Sequence, residues 1–130
     1  IKNYCAQKQL DKYIVFTGFR TDIKEILPEL AVFLITSETE GLGTSIIDAF
    51  ACKVPVVATR AGGIPEIIEH EKSGLLADVE DADELANQVE RILNGSVDKS
   101  KIIESQQEVL QNFSKSITAE KTLKEYLSIL

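Results

Sequence analysis

The sequence has 130 residues, 44% of them apolar and 27% charged, with three Pro and seven Gly. That composition describes one soluble domain able to bury a core without disulfides or metal, and it excludes disordered, collagen-like and low-complexity chains. Fourteen Lys and Arg against 21 Asp and Glu leave a net charge of −7, which argues against a nucleic-acid partner and against a basic face for an anionic membrane.

The first residues, Ile1-Lys2-Asn3-Tyr4, lack the charged and apolar regions of a secretory signal. The chain does not begin with Met and is expected to continue upstream. The longest apolar run, Leu30 to Ile35, is far too short for a transmembrane segment. Cys5 and Cys52 form no CxxC and are read as reduced thiols of a cytoplasmic protein.

In chain order, Ile14–Thr17 reads as the first strand, a compact apolar block. A helix follows, with Asp22 as cap, Glu25 three residues on, an apolar stripe of Ile23, Ile26, Leu27 and Leu30, and Pro28 as a kink. Val32–Thr36 is a second strand, and a helix is expected from about Ser45 to Ala51. Pro55–Thr59 is a third strand. The next helix starts at Gly63-Ile64-Pro65-Glu66, with Pro just inside its first turn. Gly74–Ala77 is a fourth strand. Then Ala82, Leu85, Ala86, Val89, Ile92 and Leu93 mark an amphipathic helix, with Asp81 and Glu84 for its cap and Gly95 at its end. Two more helices are expected: one carries Ile102, Ile103, Val109, Leu110 and Phe113, the other Ala119, Leu123, Tyr126, Leu127 and Leu130. Strands in continuous apolar blocks, alternating with helices, predict an α/β, Rossmann-like parallel sheet with flanking helices and a helical C-terminus.

In such sheets ligands bind beyond the carboxyl ends of the strands. The three loops there are Gly18-Phe19-Arg20, Ser37 to Gly43, and Arg60-Ala61-Gly62-Gly63. Gly41 and Gly43 permit close backbone approach, and N–H groups at the helix start after them suit an anion such as phosphate. The same residues also serve as a plain strand-to-helix turn. Gly62-Gly63 before Ile64 is a second such turn on the neighbouring strand, and two together point to one anionic ligand between them. Asp48 has two readings. It completes an S-x-x-D capping box with Ser45, or it contacts a ligand.

Five blocks carry a family resemblance. They are Ser37-Glu38-Thr39-Glu40-Gly41-Leu42-Gly43, Asp48-Ala49-Phe50-Ala51-Cys52, Pro55-Val56-Val57-Ala58-Thr59, Gly62-Gly63-Ile64-Pro65-Glu66-Ile67-Ile68 and Gly74-Leu75-Leu76. Together they resemble the C-terminal donor-binding domain of the group 1 glycosyl transferases, retaining enzymes of the GT-B fold. Asn112-Phe113-Ser114 matches weakly. The resemblance implies a glycosyltransferase of hexosyl type in glycan biosynthesis, taking a nucleotide-diphosphate sugar as donor substrate, with no cofactor and no catalytic metal. Glu40 takes the first position of the family's Glu-x7-Glu signature, facing the donor sugar as the catalytic candidate. Asp48 stands at the second position, where a Glu contacts the ribose. Gly41, Leu42, Gly43, Thr44 and Ser45 are implied in holding the sugar and diphosphate. Gly18, Phe19 and Arg20 match the nucleobase loop, and Gly62 and Gly63 the second glycine turn.

By the same resemblance, residues 1–130 are one partial donor domain. The first donor-domain strand, the diphosphate-clamping Arg and Lys, and the N-terminal domain for a glycan or lipid-linked acceptor all lie upstream. The 130 residues alone are therefore expected to lack transfer activity, and the full-length protein to sit in the cytoplasm or at the inner face of a membrane. Lys53 stands where the family prefers Gly, a departure worth about 1–2 kcal/mol if the backbone there is left-handed. The alternatives are a GT-B relative such as a phosphorylase or sugar-nucleotide epimerase, or a non-catalytic Rossmann-like module binding a nucleotide or a partner. A phosphoacceptor domain fits poorly, because Thr17, Thr36, Thr59 and Ala77 end the strands where an Asp is needed. Arg60 is the one cation well placed to meet a phosphate, although a solvated surface Arg is the preferred reading. His70, between Glu69 and Glu71, is read as a surface residue. The acidic run from Asp78 to Glu84 is read as a helix start, not a metal site.

Overall fold

The computed structural model describes residues 1–129; Leu130, assigned above to the last apolar stripe, lies outside them. The order is α1 (Lys2–Gln7), α2 (Ile23–Ile26) running into a 3₁₀ turn (Leu27–Glu29), β1 (Phe33–Ile35), α3 (Thr44–Ala51), β2 (Val56–Thr59), α4 (Ile64–Ile67), β3 (Leu75–Ala77), α5 (Ala82–Leu93), α6 (Lys99–Gln111) and α7 (Lys115–Ile129). The strands form one parallel sheet in the order β1-β2-β3, with Phe33 opposite Val56 and Val57 opposite Leu75. Every residue of β2 and β3 is buried, as expected for strands covered on both faces.

Alternation along the strands divides the core in two. Ile35, Val56, Ala58 and Leu76 pack with Ile46, Ala49, Phe50, Ile64 and Ile67 from α3 and α4. On the other face Val57, Leu75 and Ala77 pack with Leu85 and Ile92 of α5 and Ile102 of α6. Two side-chain amides lock α6 down: the fully buried Gln106 donates to the Ser73 carbonyl at 3.1 Å, and the half-buried Gln107 donates to the Phe50 carbonyl at 2.8 Å.

The expected strand at Ile14–Thr17 does not form. Extended backbone becomes a strand only when its N–H and C=O groups find a partner. No described strand lies beside this stretch, and Val15 is 84% exposed. The helix α1 carried no sequence signal beyond its one buried residue, Cys5. Asp22 precedes α2 without capping it, because its carboxylate is taken by Arg20. Pro28 sits in the 3₁₀ turn and ends that segment, as a proline in a helical stretch must. Asp81 does cap α5, accepting from the Glu84 N–H at 2.9 Å. Phe113 falls beyond α6, in the turn before α7, and α7 buries none of its side chains. No helix among the described residues is long and apolar enough to cross a membrane.

The end of α3 explains Lys53. Val54 N–H reaches the Ala49 carbonyl at 3.0 Å and Lys53 N–H reaches Phe50 at 2.9 Å. That is a Schellman ending, whose turn residue must be left-handed. Lys53 adopts φ +58, a conformation that disfavours any residue with a Cβ. Lys53→Gly is expected to stabilise the fold by about 1 kcal/mol, read as a raised midpoint in chemical denaturation.

Candidate donor site at the strand ends

The two glycine turns meet at the carboxyl ends of β1 and β2. Gly63 N–H donates to the carbonyls of Glu40 at 3.3 Å and Gly41 at 2.9 Å. A Cβ built on Gly62, at φ +50, stands 1.7 Å from the Glu40 carbonyl oxygen; one on Gly63 stands 2.3 Å from that of Gly41. Both positions therefore require glycine so that one backbone can lie on the other. The N–H of Gly63 is used within the protein, and α4 is only four residues long. The N–H groups left without a side-chain cap at this edge are those at the start of α3. There Gly43 is the N-cap at φ +71, and no side chain caps the helix. Thr44 and Ser45 form its first exposed turn, with unpaired N–H groups typical of a helix start.

The capping-box reading of Asp48 is overturned. The helix begins at Thr44 behind Gly43, so Ser45 already lies inside it and Asp48 falls in its second turn. Its carboxylate instead lines a cavity of about 630 Å³ together with Thr21, Lys24, Leu27, Ala51 and Cys52. Glu40 lies at the opposite end of the same loop-helix unit. Its Oε2 accepts from Ser37 Oγ and its Oε1 from Gly41 N–H, both at 3.2 Å. Glu38, two residues earlier, is exposed.

The loop Gly18-Phe19-Arg20 is not drawn onto the glycine turns. Phe19 is 93% exposed. The Arg20 guanidinium pairs with Asp22 and holds that carboxyl below its ordinary range, while Asp22 raises Arg20 in return. The stretch from Thr21 onward, not Gly18 to Arg20, closes the cavity over Asp48. Leu42 is exposed beside the open Gly41. Arg60 pairs with Asp78 at 3.3 Å. His70 is half-buried rather than a surface residue: its Nδ1 accepts the Leu76 N–H at 2.9 Å, satisfying the outer side of β3. Among the described residues no group of three His, Cys, Asp or Glu side chains could hold a metal.

The family model for glycosyl transferases group 1 matches residues 1–95. The chain belongs to that family. The chain is 36% identical, over 75% of its length and 26% of the relative's, to the amylovoran biosynthesis glycosyltransferase AmsK of Erwinia amylovora. It is likewise 36% identical, over 65% of its length and 22% of the relative's, to the N-acetyl-alpha-D-glucosaminyl L-malate synthase of Bacillus anthracis. Among solved structures, Anabaena Alr3699/HepE in complex with UDP superposes with a TM-score of 0.86 at 28% identity, covering 99% of this chain and 36% of that one. HepE has also been solved with UDP-glucose. The chain thus spans about a quarter of the curated relatives and about a third of the solved one. Its sheet and C-terminal helices are the C-terminal part of a GT-B glycosyltransferase fold.

Proposed function

We propose that this chain is the donor-binding part of a retaining glycosyltransferase that moves a hexosyl group from a nucleotide-diphosphate sugar to an acceptor hydroxyl. The single observation carrying the reading is the unit running from Glu40 to Asp48. It runs from a tethered carboxylate in the loop after β1, through an uncapped helix start, to a second carboxylate one turn into α3. The N–H groups of Thr44 and Ser45 receive the diphosphate, whose negative charge grows as the sugar leaves. Dipoles fixed before reaction stabilise that charge without reorganising. Asp48 holds the ribose from its cavity, and Glu40 faces the sugar. A carboxylate beside a diphosphate lowers the barrier only if positive charge develops on the sugar carbon, or if it orients a hydroxyl. UDP and UDP-glucose bound to HepE support a nucleotide-sugar ligand.

Residues 1–130 form part of the donor domain in this reading. The acceptor domain, the first donor-domain strand and the cationic diphosphate clamp come from the remainder of a full-length polypeptide working in the cytoplasm or at a membrane face. The 130 residues alone bind donor weakly and do not transfer sugar, since nothing closes over the site to exclude water.

The test is calorimetric titration of the full-length polypeptide with UDP-glucose, UDP-N-acetylglucosamine and GDP-mannose, followed by NMR of the product's anomeric configuration. At least one donor is expected to bind and to transfer with retention. Asp48→Asn is expected to weaken that donor about tenfold with an unchanged melting temperature. Inversion would overturn the retaining mechanism, and an unchanged affinity would remove Asp48 from the site.

A further inference from the structure

The carboxylate of Glu40 is the end of a hydrogen-bonded relay that starts on another strand. Thr59, the last residue of β2 and buried, donates its hydroxyl to the Ser37 carbonyl at 2.6 Å. Ser37 then donates its own hydroxyl to Glu40 Oε2, while Gly41 N–H holds Oε1. The Glu40 backbone is fixed independently by Gly63 N–H at its carbonyl. A glutamate side chain turns about three bonds, and tethering both oxygens removes that freedom before any substrate arrives. A carboxylate has about four acceptor positions, so two bonds leave it able to accept from a ligand. A valine would fill the Thr59 position on packing grounds alone; the hydroxyl serves the loop.

We propose that Ser37 and Thr59 are positioning residues for sugar transfer: Thr59 fixes the Ser37 main chain, and Ser37 aims the Glu40 carboxylate at the donor sugar. The proposal rests on the reading of Glu40 as the residue facing that sugar.

The experiment uses the full-length polypeptide and the best donor among UDP-glucose, UDP-N-acetylglucosamine and GDP-mannose, with release of nucleoside diphosphate as readout. Ser37→Ala and Thr59→Val are each expected to lower kcat about tenfold, the loss of one hydrogen bond in a charged network, with donor KM within about twofold. Thr59→Ser keeps the hydroxyl and is expected to restore the wild-type kcat even if it melts earlier, which separates positioning from stability. Ser37→Ala combined with Glu40→Gln is expected to be no slower than Glu40→Gln alone, because the two act in series. A wild-type kcat in Ser37→Ala, or a double variant slowed by the product of the two single effects, overturns the proposal while leaving Glu40 in place. A silent Glu40→Gln instead overturns the reading on which the proposal stands.

Discussion

Glu40→Gln is expected to lower kcat of the full-length enzyme by about 10²-fold or more, the scale of losing one well-placed electrostatic partner, with a smaller change in donor affinity. The substitution keeps size and shape, and the amide oxygen still accepts from Ser37 or from Gly41. What is lost is the charge together with one of the two accepted bonds, so a large effect reports on the electrostatics and tethering of this carboxylate. Glu38→Gln is the internal control. Glu38 shares the loop but is exposed, and neutralising a solvated carboxylate is worth little. It is expected to leave kcat within about twofold. Steady-state kinetics of the two variants side by side decide the register of the motif. Equal, small effects would remove Glu40 from the chemistry.

Gly62→Ala is the substitution expected to damage the fold most. Its Cβ would stand 1.7 Å from the Glu40 carbonyl oxygen and 2.8 Å from the carbonyl carbon. Neither atom belongs to a flexible side chain, so the Glu40 backbone itself must retreat. The positive φ adds a penalty of about 1 kcal/mol for any Cβ. A loss of at least about 3 kcal/mol follows, which for a domain of this size lowers the melting temperature by roughly 10 °C. Gly41 offers the contrast: nothing lies within 4 Å of a Cβ there, so Gly41→Ala is expected to melt within a few degrees of wild type, about 1 kcal/mol at most. Thermal melts of both variants test whether contact, and not glycine content, governs this loop.

Much of this was legible in the residues. Continuous apolar blocks at Val56–Thr59 and Leu75–Ala77 announce strands buried on both faces, and the stripe from Ala82 to Leu93 announces α5 almost to the residue. The order of the five motif blocks carried the family. What the residues could not show was pairing. Ile14–Thr17 has the composition of a strand, but a strand is a relation between two segments, and among the described residues nothing pairs with it. Asp48 failed as a cap for a related reason. A capping box is read from spacing, yet the N-cap lies two residues earlier than Ser45, because Gly43 supplies it in a left-handed conformation. Gly62 and Gly63 read as a second anion cradle, but in the fold the backbone of Glu40 and Gly41 packs directly against them. His70 gave no hint of a structural bond, because its donor, Leu76 N–H, is a backbone group that any residue would carry.

The backbone-on-backbone seam between the two glycine turns also bears on attempts to re-engineer specificity. Residues 40–45 invite transplantation from one glycosyltransferase to another as a self-contained cassette. They are not self-contained here. The carbonyls of Glu40 and Gly41 rest on Gly62 and Gly63 without intervening side chains, so the seam has no soft layer to absorb a mismatch of even a few tenths of an ångström. Ser37 is likewise anchored by Thr59 across the sheet. The transferable module is the pair of turns with the strand ends that bear them, and a chimera built from one turn alone inherits a loop whose mould has been left behind.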